Sequence, residues 1–591
     1  MKKHNILKDV LWIIVTVLMI VSWFLPDADW SYITRLILWL AELVFVIMAL
    51  REKNSVINVI LVTIMAFMLF TWVLPAAVYS GQFADQGRIQ MGFFDLFNYP
   101  VTALSYFGYI AFFILAIGGF YGILNKIPAY RTFLNRFVAK VQGTEKMVLV
   151  IMMLLIAVLT SLGGMQLALL VFFPMLVSII LLMGFDKMVA AMVLVGSVMV
   201  GIAGSTYGYG NTNIIMSALS LGITSEIITK IVILLLGLII LVVNVIFYIN
   251  KKQLAAVVIK KEEVKKPEVK VSAKEETKKT KAAKTTKTTK DSKNSTKTKS
   301  GSKKSGKSSS NKNIKAALKD EDVIVVKETV NGTELNEYVP AEVNGSHSIW
   351  PFIVVFSLLF VLFVLAFLPW SNGFGNEVFS TVTTGVTKAE MFGFPIWSKL
   401  LGTINAFGYW TVIDLLFPLT LLVLFLSLVY KVKFNDVLDG FLAGIKKALP
   451  LGLIVVLVYT CLVIVTYHPF QLTIYKVLLG AAKKFGFVGA LVSSFVATLA
   501  SAFNVDPSYA FQSVLMYLTS VVTDTASYPV IGVIFQSMYG FTMLFAPTSV
   551  ILMVALSYLD IPYKKWLKTI WKLLLEFLVI LLIVFTILVL L

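Results

Sequence analysis

Gly204-Ser205-Thr206-Tyr207-Gly208-Tyr209-Gly210-Asn211-Thr212-Asn213 interrupts an apolar run that begins at Met188. Glycines, hydroxyls and amides have no use on a helix facing lipid. Backbone that leaves the helix at membrane depth must find new hydrogen-bond partners, so it survives only inside protein or against a water-filled cavity. The stretch therefore reads as a broken membrane helix and a candidate binding site.

Composition agrees with a membrane setting. The 591 residues are 58% hydrophobic, with a mean hydropathy of +0.87. Repeated apolar runs are long enough to cross roughly 30 Å of hydrocarbon. The single cysteine, Cys461, excludes an internal disulfide framework and a cysteine metal cluster. Three scattered histidines, His4, His347 and His468, give no metalloenzyme centre, and no cofactor is expected. The net charge of +19 is local: residues 251–347 hold 24 lysines against 13 acidic residues. That segment is rich in Lys, Ser and Thr and cannot bury enough apolar area to offset its ordering entropy, so it reads as a disordered linker. A solvated or anionic-lipid-facing role suits it better than a specific nucleic-acid tail. No Gly-rich phosphate-cradling lysine motif supports an ATP-driven pump, and no enzyme chemistry is expected.

Four parts follow: an extra N-terminal span over 1–30, a first membrane repeat over 31–250, the linker over 251–347, and a second repeat over 348–591. Within the second span Arg35 and Glu42 lie two turns apart, read as a structural pair between packed helices. Ala129–Gln142 reads as a basic amphipathic interfacial helix. Two short apolar legs flank Ser161-Leu162-Gly163-Gly164-Met165-Gln166, and two more flank Phe503-Asn504-Val505-Asp506-Pro507-Ser508, suggesting re-entrant hairpins. A further span is disturbed at Gln536, Gly540, Thr542 and Pro547-Thr548-Ser549. The second half is expected to hold a span from Phe407 to Tyr430 enclosing Asp414 and Pro418, a separate span from Pro450 to Thr466, and a short amphipathic segment from Gln471 to Phe485. A strand is expected over Asp322–Val330. The lysine and arginine bias places the N-terminus and the linker in the cytoplasm, and a bacterial plasma membrane is expected. Aligned by element order, the halves form inverted repeats whose broken helices meet near the midplane, an all-α polytopic transporter architecture.

Thr71-Trp72-Val73-Leu74-Pro75-Ala76, Ile117-Gly118-Gly119-Phe120-Tyr121-Gly122, Phe173-Pro174 with Gly184-Phe185-Asp186, and Pro547-Thr548-Ser549 with Ile561-Pro562-Tyr563-Lys564-Lys565-Trp566 resemble the YfcC-like and anaerobic dicarboxylate carrier families of the ion transporter superfamily. The resemblance covers the membrane part and not the lysine linker. It implies an elevator-type secondary carrier, commonly a homodimer, for basic amino acids or dicarboxylates. The chain departs from the family pattern at Asn211-Thr212-Asn213, at Met165-Gln166 and at Asn504–Ser508.

The candidate substrate-binding residues are Ser161, Gly163, Gly164, Gln166, Ser205, Thr206, Asn211, Asn213, Asn504, Asp506, Ser508, Gln536, Thr542, Thr548 and Ser549. Half-helix N-termini offer free amides to a carboxylate. Unwound carbonyls with Thr206, Asn211 and Asp506 could hold a coupling sodium, or Asp506 a proton. Neither the hairpin tips nor the broken centres contain Lys or Arg. One carboxylate beside those amides suits an amino acid, taken up by symport or exchange; an organic-anion carrier and a non-transporting scaffold with a partner-binding linker are the alternatives. Each residue also has a plain reading. Glycines permit close packing, Tyr207 and Tyr209 pack, Asp506 caps a helix, and Thr548 and Ser549 satisfy the break at Pro547.

Overall fold

The computed structural model describes residues 6–22, 24–26, 28–50, 55–265, 329–330, 333–334, 337–340, 347–480 and 486–590. The first half is built from α1 (Ile6–Ser22), α2 (Asp29–Leu50), α3 (Val56–Val73), the antiparallel hairpin β1 (Ala76–Tyr79) and β2 (Phe83–Gly87), α4 (Asp95–Leu124), α5 (Pro128–Lys140), α6 (Glu145–Gly163), α7 (Phe173–Leu182), α8 (Lys187–Ala203), α9 (Ile214–Ala218) and α10 (Ile227–Lys265). The two-residue strands β3 (Thr329–Val330) and β4 (Thr333–Glu334) precede the second half. That half comprises α11 (Trp350–Phe367), α12 (Val378–Lys388), α13 (Ile396–Leu401), α14 (Leu416–Val429), α15 (Phe434–Tyr467), α16 (Gln471–Leu479), α17 (Phe487–Phe503), α18 (Pro507–Val521), α19 (Tyr528–Met543), α20 (Val550–Tyr558) and α21 (Tyr563–Leu590). Among the described residues, seven helices are long and apolar enough to cross a membrane.

Two helix pairs organise the membrane part. In the first, α4 crosses α15 at Gly118 and Gly122 against Gly440 and Gly444. A Cβ on Gly122 would lie 2.0 Å from the Gly440 carbonyl oxygen, so only glycine permits this approach. The glycines of the 117–122 motif therefore serve packing. In the second pair, α8 meets α19. Every residue from Met188 to Ala203 is buried, as is every residue from Ile531 to Met543, so this is the centre of the protein rather than a lipid-facing wall. Around it pack α6, α17 and α21. The outer helices α10, α11, α14 and α21 instead expose rows of Leu, Ile, Val and Phe, as a lipid-facing surface requires.

The charged pair of the second span is structural. Glu42 accepts from the Trp12 indole at 2.7 Å and from Thr16, while Arg35 donates to the carbonyls of Ser22 and Leu25 and lies over the Trp72 ring. These contacts fasten α1 to α2 and α2 to α3.

Several boundaries differ from the sequence expectation. No separate span begins at Pro450: α15 runs unbroken through it, since a neighbouring bundle can support a helix that has lost one N–H. Asp414 is not inside a span. It precedes α14, where its carboxylate accepts from the Thr411 N–H and hydroxyl at 2.7 and 2.9 Å. The segment from Gln471 is helical only to Leu479, and 481–485 lie outside the described residues. α5 is not simply laid in the interface, because Ala129, Tyr130, Arg131 and Leu134 are buried and the helix packs on α7.

Two compact units are defined: Met1–Asn250 with Thr329–Leu591, and Lys251–Glu328. Disorder expected from residue 251 is corrected at both ends of the linker. Residues 251–265 are helical, where Leu254, Ala255, Ala256, Val257, Val258 and Ile259 keep an apolar run going. Residues 337–340 pack against the first unit's helices. Apart from Thr329, Val330, Thr333, Glu334 and His347, the remainder of the linker lies outside the described residues, and with it all but Thr329 and Val330 of the strand expected over Asp322–Val330.

Candidate functional site

The opening break is closed by the first hairpin tip. α6 ends at Gly163, with Gly164 in the left-handed region at φ 62° as its C-cap, and its last turn presents Ser161. The Ser161 carbonyl accepts from the backbone N–H of Thr206, Tyr207 and Gly208 at 3.0, 3.2 and 3.0 Å. Its hydroxyl donates to the Gly204 carbonyl at 2.7 Å and meets the Thr206 hydroxyl at 3.2 Å. Thr212 Oγ1 donates to Ser205 Oγ at 2.8 Å. The amides released where α8 ends are thus satisfied internally. Tyr207 takes its packing role, against Phe374 with ring centroids 4.8 Å apart. Tyr209–Asn213 form one π-helical turn before α9; the backbone of Asn211 belongs to it, and the Asn211 side chain lies outside the described residues. Asn213 is partly exposed and its carbonyl accepts from Ser217.

The second hairpin and second break are joined more loosely. Asn504 is buried and donates to Ala500 in its own helix at 3.0 Å. Asp506 Oδ1 accepts the Ser508 N–H at 2.8 Å and caps α18, an aligned anion at a helix N-terminus. Thr548 donates to the Ala502 carbonyl at 2.9 Å, and Tyr539 to the Val505 carbonyl at 3.1 Å. The halves are linked by α19. Gln536 Nε2 donates to the Ser205 carbonyl at 2.6 Å and Ser537 to the Ala203 carbonyl at 2.9 Å. A Cβ on Gly540 would sit 2.4 Å from the Ala203 nitrogen. Gln536 Oε1 and Thr542 Oγ1 are buried without a hydrogen-bond partner. Such groups carry a desolvation cost, about 1–3 kcal/mol each, that a bound ligand, ion or water can relieve.

A cavity of about 50 Å³ opens at this second junction, lined by Gln166 from the first tip, Asp506 from the second, Ser549 and Val550, and the rings of Tyr459 and Tyr539. Two helix N-termini, those of α18 and α20, border it. The first is capped by Asp506. The second has no side-chain cap, and the first-turn amides of any helix lack a partner within the helix itself. Gln166, Asp506 and Ser549 are therefore brought together by the fold, whereas Ser161, Gly163, Gly164, Ser205 and Thr206 form the separate first knot. Thr206 does not line the cavity that holds Asp506. Tyr459 and Tyr539 were not legible as site residues. Tyr459 lies in an unbroken apolar run, and only the proximity of Tyr539 to Gly540 hinted at its place.

A larger cavity of about 280 Å³ lies elsewhere, between the α4–α15 crossing and α7, α8 and α20. Its walls are mostly apolar, with Lys126 and Lys447 at one end. Size alone does not make it the site, because the hairpin tips and breaks do not line it.

The model of the C4-dicarboxylate anaerobic carrier family matches residues 6–290 and 345–590. The chain belongs to this family. As a C4-dicarboxylate anaerobic carrier family member it is a multi-pass membrane protein of a transporter family. The match extends beyond the quoted motifs into the lysine-rich segment, as far as residue 290. Membership gives no support to an amino-acid substrate and favours the organic-anion alternative. No curated protein and no solved structure matches the chain.

Proposed function

We propose that the protein is a secondary carrier of four-carbon dicarboxylates. Family membership carries the substrate class, and the cavity at the second junction is the observation in the fold that supports it. The uncapped N-terminus of α20 offers amides and a positive dipole end to one carboxylate. Gln166, Ser549, Tyr459 and Tyr539 supply neutral polar groups around it. Asp506, next to an anion, is suited to holding the coupling proton or sodium ion, because its charge would otherwise oppose the substrate. A volume of about 50 Å³ holds only a few waters, so the closed junction must part to admit a diacid.

The inverted arrangement of breaks and hairpins supports an elevator cycle, in which the bundle centred on α8 and α19 moves past the glycine-crossed α4–α15 pair. The lysine bias supports a plasma membrane with the lysine-bearing face in the cytoplasm. A dimer, as in similar carriers, fits this plan. Exchange of labelled succinate in proteoliposomes, under imposed proton and sodium gradients, tests the reading: saturable exchange competed by fumarate is expected. Exchange of amino acids without any of diacids would overturn it.

A further inference from the structure

The segment Glu337-Tyr338-Val339-Pro340 stands out in the linker because it is docked into the membrane part. Tyr338 is 9% exposed and Val339 4%, in a stretch whose neighbours are mostly Asn, Gly, Glu, Thr and Val. Its partners come from five helices. The Tyr338 carbonyl accepts from Ser178 on α7 at 2.6 Å, and the Pro340 carbonyl from Arg131 on α5 at 2.8 Å. Lys447 on α15 donates to the Glu337 carbonyl. Lys187 at the start of α8 lies 3.9 Å from the Glu337 carboxylate and 4.9 Å from the Tyr338 ring centroid. Tyr558 on α20 meets the Tyr338 ring edge-on, with centroids 5.6 Å apart. Glu337 and Tyr338 also line the 280 Å³ cavity.

We propose that this cavity is a binding site for the Glu337–Pro340 segment, and that the segment is a tethered plug which holds the two bundles together. Lys447 belongs to the α4–α15 pair and Lys187 opens α8 at the centre of the other bundle, while Tyr558 belongs to α20, which packs on both α15 and α8. One tetrapeptide bonded to both sides must leave, or break its contacts to one side, before the bundles slide. The chemistry is specific in kind. An aromatic ring fills an apolar slot between two lysine ammonium groups, each attracted by its face, and three backbone carbonyls take charged or hydroxyl donors. The Lys187 ion pair with the exposed Glu337 carboxylate adds little, so the buried ring and the carbonyl bonds carry the hold. The brake rests on the carrier reading given above; docking of the segment does not.

The test uses the full chain with Cys461→Ala and Ala555→Cys, Ala555 being a buried residue of the cavity wall. Residues 337–340 are either native or replaced by Gly-Ser-Gly-Ser. Labelling of the new cysteine by a water-soluble maleimide is expected to rise about tenfold on replacement, the factor given by about 1.4 kcal/mol of docking. Succinate exchange in proteoliposomes is expected to rise by a similar factor. Equal labelling of the two forms overturns the plug. Faster labelling with unchanged or slower exchange overturns the brake. Absence of diacid exchange in both forms counts against the substrate class, and the labelling then decides the plug by itself. Tyr338→Ala alone is expected to give an intermediate labelling rate, and a rate equal to the native form would contradict the role of the ring.

Discussion

The two broken helices use their polar residues in opposite ways. At the first, Gly204 to Gly208, half of a stretch rich in Gly, Ser, Thr and Asn, are gathered by one carbonyl and one hydroxyl of Ser161. At the second, the sequence is plainer, yet a cavity remains, bordered by two helix starts and holding Asp506 and Ser549. A polar break in a membrane helix must first satisfy itself. Only what is left over can serve a ligand. The richer stretch spends its groups on self-satisfaction, and the poorer one keeps amides to offer.

If this contrast holds, damage to the first junction is a stability effect and damage to the second a transport effect. Ser161→Val removes the donor to a buried carbonyl and adds bulk beside Gly204. It is expected to cost about 3 kcal/mol, read as a lowered melting temperature in detergent. Unchanged melting would show that the knot is not structural. Ser549→Leu fills the cavity; diacid exchange is expected to fall at least about tenfold, a loss of about 1.4 kcal/mol in affinity or barrier, with melting nearly unchanged. Asp506→Asn keeps a good N-cap, so melting is expected to shift by less than about 0.5 kcal/mol while dependence of exchange on the ion gradient is lost. Retained coupling would move the ion site elsewhere.

The smallest expected effect concerns pH. His468, the C-cap of α15, lies against the Ile89 carbonyl at 2.6 Å and the Tyr99 hydroxyl at 2.7 Å. Burial holds its pKa below the ordinary value, opposed in part by the Ile89 bond and by Asp95. The neutral form is therefore favoured by folding. Its contribution is complete above about pH 6.5 and is lost as pH falls below that value through the lowered folded pKa. Melting of the native chain at pH 5 and 7.5 should differ more than that of His468→Gln, and an equal difference would exclude this group.

Much of this was legible because membrane helices announce themselves by length and apolarity, and their breaks by glycines, amides and proline. Gly204–Asn213, Ser161–Gln166, Asn504–Ser508 and Pro547–Ser549 all fall at real breaks. What those breaks do with their hydrogen bonds was not legible, since Ser161 meets residues 43 to 47 positions away only after folding. Pro450 misled because a proline ends most helices in water, whereas packed neighbours in a membrane protein hold α15 straight through it. Tyr338 was hidden in another way: four residues past the end of a lysine-rich stretch leave no periodic signal, and their docking depends on a cavity built by distant helices.

Diacid exchange by the native chain and by Ser549→Leu, both reconstituted and matched for melting temperature, tests the central claim most directly. Saturable succinate exchange that is lost in the variant is the expected result. Succinate exchange that survives a leucine at 549, or none by the well-folded native chain, would contradict it.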